Sequence, residues 1–278
     1  MGNVSFRDGD SSLSDSQSNP SLQKWTVISS FPEMLNAFSQ QGVFSQALKK
    51  GLLQMEVINP RDFTHDVHRK IDDRPFGGGD GMIMMAQPLD MALKSIAAQE
   101  QHVIYLSPQG SLFTDQKAQQ LAGKKNVVLI CGRYGGVDQR LLQKYVNEEI
   151  SIGDYVLSGA EPAAMVVMDA VARFLPGVLG HPDSAFHDSI TQGYLEAPNY
   201  TQPREWDGQP VPAALLSGNH ALIAQWRKYV GWWVTEKKRP DLFSKLTRTA
   251  EEVKEYHSFV QEHLHGKESL YLPDWKKP

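Results

Sequence analysis

Cysteine is almost missing from this chain. Cys131 is the single one among 278 residues. No disulfide can close within the chain, and a zinc site built on several cysteines is excluded. Such usage fits a reducing, cytoplasmic compartment. Long apolar runs are missing as well: no stretch approaches the roughly 20 residues that a membrane-spanning helix needs, so no membrane partner is expected. A strong charge of either sign is absent, the formal net charge being -4. A globally basic nucleic-acid binder is therefore not indicated, although local basic faces remain open. Several fingerprints are lacking too. Neither GxGxxG nor the P-loop pattern occurs, and there is no GxSxG elbow. Hydride transfer, nucleoside triphosphate hydrolysis and serine-hydrolase chemistry are thus poorly supported. Residues 1–22 are polar and acidic with no apolar signal core, and Phe6 stands where a myristoylation motif wants Ser or Thr. They read as a disordered tail.

What is present is material for a sizeable core, with 41% hydrophobic residues. The stretch from Asn126 to Phe174 organises it. A strand over 126–131, with Val127 to Ile130 as its buried run, leads into the turn Gly132-Arg133-Tyr134-Gly135-Gly136. A second apolar stretch, Val146 to Ile152, runs into the loop Gly153 to Ala160, and an apolar helix over 161–174 follows. Upstream, strands are expected at 25–29, 55–58 and 102–106, the last ending in the turn Ser107-Pro108-Gln109-Gly110. Helices alternate with them, at 32–38, 44–50, 87–98, 114–121 and 137–145. That alternation predicts an α/β fold with a mainly parallel sheet. Three strand-to-loop junctions (107–110, 132–136 and 152–160) are then expected on one face, as a ligand cleft beyond the carboxyl ends of the strands. Loops without phosphate fingerprints suit a ligand held by backbone hydrogen bonds and apolar walls, such as an adenosine-type cofactor.

Residues 59–85 are polar and aperiodic and end in Gly77-Gly78-Gly79-Asp80-Gly81. Long irregular segments in compact domains are usually functional or disordered. The glycine amides and arginines suit anion contact, or the stretch is a solvated loop with internal salt bridges. His65 and His68 lack a third metal ligand in a clear pattern. Residues 181–193 read as a mobile linker. A small helical domain is expected over 194–278, with helices at 219–232, 239–246 and 250–264. Its basic residues (Arg227, Lys228, Lys237, Lys238, Arg239, Lys245, Arg248) interleave with Trp226, Trp232 and Trp233. This suits either RNA contact or a tryptophan core beneath a solvated charged face. Charged candidates near the cleft are Arg133, Asp138, Arg140, Asp154, Glu161, Asp169, Arg173 and Asp188. Read alone, Arg173 is a helix C-terminal cation and Asp188 a solvated carboxylate. Cys131, at the end of an apolar strand, reads as a buried thiol.

Across residues 24–245 the chain resembles the bacterial tRNA (guanine-N1)-methyltransferases, which modify guanosine 37. The resemblance is carried by FPEM (31–34), NPRDFTHDVHRKIDDRPFGGG (59–79), IYLSPQG (104–110), ICGRY (130–134), SIGDYVLSG (151–159) and DAVARFLPGVLG (169–180). It implies an α/β, parallel-sheet SPOUT-type methyltransferase domain over 23–180 with a deep trefoil knot. It also implies a helical C-terminal domain for the tRNA anticodon stem-loop, and a homodimer whose active site is shared between chains. S-adenosylmethionine is the implied cofactor, and Mg2+ a further one with no ligand set in view. Matched position by position, Tyr105, Leu106, Ser107, Pro108, Gly132, Tyr134, Gly136, Ser151, Ile152, Gly153, Tyr155, Leu157 and Gly159 become cofactor contacts. Asp188 becomes the general base and Arg173 the catalytic arginine. The chain departs from the family's pattern at Asp80, Gly135, Ala160 to Ala163 and Gln202. Those departures keep a second reading open, a tRNA-binding relative with weakened or lost methyl transfer.

Overall fold

The computed structural model describes residues 22–180, 185 and 188–265. The expected tail, apart from Leu22, and residues 181–184, 186 and 187 of the expected linker lie outside them. The chain divides into two compact units, one holding residues up to 113 and 120–178, the other 114–119 and 179 onward. Among the described residues no helix is long and apolar enough to cross a membrane.

The first unit is built on five parallel strands: β1 (Gln23–Ile28), β2 (Leu53–Ile58), β5 (His102–Leu112), β6 (Asn126–Cys131) and β7 (Glu148–Ser151). Their order is β2-β1-β6-β5-β7. The central strand is β6, and Val127 to Ile130 are fully buried there, which is why its sequence is a continuous apolar run rather than an alternation. Helices α1 (Pro32–Phe38), α2 (Gly42–Lys49), α3 (Ala86–Ser95), α5 (Gln139–Tyr145) and α6 (Glu161–Ala172) connect and cover the sheet. Pro32 opens α1 at the turn where its missing amide costs nothing. Asp138 caps α5 by accepting the Arg140 amide at 3.0 Å. Side chains from α3, α5 and β5 close one apolar cluster around Leu89, Leu93, Val103, Leu141 and Tyr145.

Two local readings change, and a third, the helix that follows Thr114, stands. The strand expected to stop at Leu106 resumes at Ser111. Leu106 and Ser111 both pair with Ile150, so 107–110 is an excursion from a continuing edge of β5. The aperiodic 59–85 segment holds a 3-10 turn, Pro60–Phe63, and a short antiparallel pair of β3 (Asp72–Asp73) and β4 (Ile83–Met84). Helix α4 (Asp115–Ala122) starts after Thr114, whose hydroxyl accepts the Lys117 amide at 3.3 Å.

In the second unit a short pair of β8 (Glu205–Trp206) and β9 (Gln209–Pro210) and helix α7 (Ala213–Leu216) lie within the proline-rich stretch. Helix α8 (His220–Lys238) is longer than the periodicity suggests, and α9 (Pro240–Phe243) shorter. Helix α10 (Ala250–Phe259) passes into a π-helical turn, Val260–Leu264. Trp226, Trp232 and Trp233 are buried with Tyr229, Tyr256 and Phe259, so these tryptophans form the core rather than an RNA-facing surface.

Candidate active site

Beyond the carboxyl ends of β5, β6 and β7 the first unit encloses a cavity of about 1120 Å³. All three expected junctions reach it, and the thirteen residues expected to hold a cofactor, Tyr105 through Gly159, all line it. The first junction is the excursion of β5. The Gln109 amide donates to Ser107 Oγ at 3.1 Å, which turns the backbone outward. Gly110 brings it back hard against β7, where a Cβ would lie 2.4 Å from the Glu149 carbonyl carbon and the Ile150 nitrogen. Only glycine fits that approach.

The second junction, 132–136, is stitched to β4. The Gly135 amide donates to Met82 O at 2.8 Å and the Met84 amide to Gly136 O at 2.9 Å. Tyr134 adopts φ +60, an uncommon and mildly strained conformation for a residue with a side chain, and its ring is half exposed into the cavity wall. Beneath the loop stands Tyr105, whose hydroxyl would meet a Cβ on Gly132 at 2.8 Å. Burial, with the neighbouring Glu149 charge, raises the Tyr105 phenol above its ordinary pKa, so it stays a neutral hydroxyl.

The third junction coils tightly. Ser151 Oγ donates to Gly153 O at 3.1 Å and accepts the Gly153 amide at 3.2 Å, and the Tyr155 amide donates to Gly153 O at 2.9 Å. Gly153 has φ +148 with the Tyr155 ring packed over the place of a Cβ. Across the three junctions the glycines therefore let the chain turn tightly around the cavity, whose walls include Leu106, Ile152 and Leu157.

Charged groups around the cavity are committed to different tasks. Asp138 is held by Arg140 Nε at 2.9 Å and Nη2 at 2.6 Å, and this keeps its carboxyl below the ordinary range. Arg133 donates to Glu161, which is fully buried. Cys131 is buried, and burial, with Glu161 nearby, pushes its thiol well up, so it is no nucleophile. Arg173 stands half-buried at the C-terminal cap of α6 and does not line the cavity, and Asp188 is half-buried in the second unit. Among the described residues no group of three or more His, Cys, Asp or Glu is placed to hold a metal, His65 and His68 included.

The reading from motifs missed the arm 73–76, which forms one rim of the cavity. Phe76 at its tip is 100% exposed. Its signal was present: a lone aromatic beside three glycines in an otherwise polar stretch has no core to enter.

Comparison with known proteins agrees with this geometry. The family model described as tRNA (Guanine-1)-methyltransferase TrmD matches residues 23–245. A protein of Pseudoalteromonas atlantica named tRNA (guanine-N(1)-)-methyltransferase is 48% identical over 246 residues, covering 87% of this chain and 93% of its own. A protein of the same name from Proteus mirabilis is 51% identical over 241 residues, covering 86% of this chain and 96% of its own. Another, from an Enterobacter species, is 49% identical, with 86% and 95% covered. With three glycine junctions around one cavity and this likeness over most of its length, the chain belongs to the tRNA (Guanine-1)-methyltransferase TrmD family.

Proposed function

We propose that this protein transfers a methyl group from S-adenosylmethionine to N1 of guanosine 37 in tRNA, beside the anticodon. One observation carries the reading: in a chain about half identical to proteins named tRNA (guanine-N(1)-)-methyltransferase, three glycine-bearing loops surround one cavity. The cavity fits the cofactor. Polar groups of the lining loops 107–109, 132–136 and 151–153 suit the polar edges of an adenosine and an amino acid, and Tyr105, Leu106, Ile152 and Leu157 suit its apolar faces. Its 1120 Å³ exceeds the usual range for a single small ligand, which leaves room for the target base. When bound, S-adenosylmethionine supplies an activated methyl group.

The chain's own residues then have two tasks. Guanine N1 carries a proton and is a poor nucleophile until the proton leaves. Asp188 is assigned to take that proton as general base, and Arg173 to stabilise the charge that builds on guanine O6. Arg173 does not line the cavity of its own chain, which favours a site completed across a homodimer. Apolar residues left exposed on the first unit, Val156 and Leu112 with Tyr155 and Val166, suit that contact. A path of the chain with a trefoil knot belongs to the same reading, as do the second unit's part in holding the anticodon stem-loop and a cytoplasmic location. The described residues offer no acidic set fitting Mg2+, so no step is assigned to it.

The test is methyl transfer to a defined tRNA transcript with guanosines at positions 36 and 37. The expected product is 1-methylguanosine at position 37, lost when that base is replaced. Transfer that survives the replacement assigns a different target base. Tight tRNA binding with neither cofactor binding nor transfer would establish the binding-only alternative, which identities near 50% do not favour.

A further inference from the structure

At the cavity wall runs a chain of polar groups that the proposed chemistry does not use: Ser29 and Glu161 are buried, and Arg133 lines the cavity. Glu161 is the first residue of α6 and is 0% exposed. Its Oε1 accepts from Ser29 Oγ at 2.8 Å, and its Oε2 accepts Arg133 Nε and Nη2, each at 3.2 Å. The Arg133 guanidinium lies 3.9 Å from the centre of the Phe31 ring, and Ser29 Oγ also accepts the Phe31 amide at 3.0 Å. Three distant segments therefore meet at one ion pair: the chain just after β1, the loop 132–136, and the start of α6. The backbone ties two of them again. The Ala160 amide donates to Gly132 O at 3.0 Å, and Arg133 bridges to Gly159. Gly159 rests on the pair itself, since a Cβ there would fall 2.6 Å from Arg133 Nε and 2.7 Å from Glu161 Oε2.

A buried ion pair adds little net stability, because desolvation offsets the attraction, but its hydrogen bonds tolerate only a narrow geometry. Apolar side chains of similar volume would fill the same space and leave the two loops tied by their backbone bonds, without the ion pair's tighter geometry. We infer that the Ser29–Glu161–Arg133 chain is a positioning device. It sets the 132–136 loop against the 157–160 loop, and so sets the shape of the wall the cofactor meets. Ser29 and Glu161 act through the loops they hold; Arg133 also lines the cavity, so Ser29→Ala, which leaves Arg133 in place, separates positioning from direct contact. The inference rests on the assignment of this cavity to S-adenosylmethionine.

The experiment is calorimetric titration of S-adenosylmethionine into the full-length protein, the Arg133→Met/Glu161→Met double variant and Ser29→Ala, with thermal unfolding and steady-state kinetics of each. The double variant should unfold near the temperature of the unmodified protein. It should bind the cofactor at least about tenfold more weakly, with KM for the cofactor raised and KM for tRNA unchanged. Ser29→Ala should weaken cofactor binding about threefold. A merely structural pair predicts the opposite split: lower unfolding temperature and unchanged affinity in the folded protein. Cofactor affinity within twofold in a folded double variant overturns the inference. Should that variant not fold, unchanged affinity in Ser29→Ala overturns it. Failure of the unmodified protein to bind S-adenosylmethionine overturns the cofactor assignment itself, and the inference with it.

Discussion

Guanine N1 releases its proton only to a base held against it, so the carboxylate assigned to that task is the sharpest residue to probe. Asp188→Ala is expected to lower kcat by about 10²–10⁴-fold while the Kd for S-adenosylmethionine stays unchanged. A loss below tenfold would give the proton to another group. Gly110 tests packing instead. An added methyl must displace the backbone of β7 2.4 Å away. Gly110→Ala is therefore expected to cost about 3 kcal/mol in urea unfolding, and a cost under about 0.5 kcal/mol would mean that the edge of β5 yields. The cofactor-lining residues were legible because they sit in short contiguous motifs. The partners of Glu161 were not, since Ser29 stands 132 positions from it and Arg133 28, and nothing local marks the three as one set.

At the scale of elements, α3 and α5 are joined by Asp90, which accepts from Lys144 at 2.7 Å and from the Tyr145 hydroxyl at 2.8 Å, with Lys94 also paired at 2.7 Å. Burial pushes its carboxyl up, but the three donors outweigh burial and hold it well below the ordinary value. A depressed carboxylate stabilises the fold above its unfolded pKa, and the contribution is lost as pH falls below that value of 3.8. Asp90→Asn should therefore lower stability at pH 7 by about 1–2 kcal/mol and flatten the acid limb of the stability curve below pH 4. An acid limb of unchanged slope would show that other carboxylates dominate it. Element types followed from apolar periodicity, and β6 agrees with its expected bounds to the residue. The continuation of β5 past Leu106 did not, because Ser111 and Leu112 are strand only through β7, some 40 positions onward. The two-residue pair of β3 and β4 is likewise too short to carry a period.

For the molecule as a whole, a ligand that binds only the folded first unit stabilises it by mass action. S-adenosylmethionine at a hundred times its Kd should add about 2.7 kcal/mol. In hydrogen exchange the added protection should fall on 105–110, 132–136 and 151–160, and amides of α8 should keep their rates. Equal slowing everywhere would contradict a ligand confined to this cavity. The composition changes near residue 194, whereas the two compact units divide after residue 178; the strand order was not readable, since it depends on which edges β6 enters. That order has a consequence in time. Strand β6 lies between β1 and β5, yet it is made after both. While the ribosome adds the residues from Ile58 to Cys131, at roughly 5–20 residues per second, β1 and then β5 wait with an apolar edge unpaired. For those seconds the nascent chain carries two sticky strands and no partner for either, and a chain stalled before Asn126 should be captured by holdase chaperones or aggregate, while one released beyond Ser151 should not.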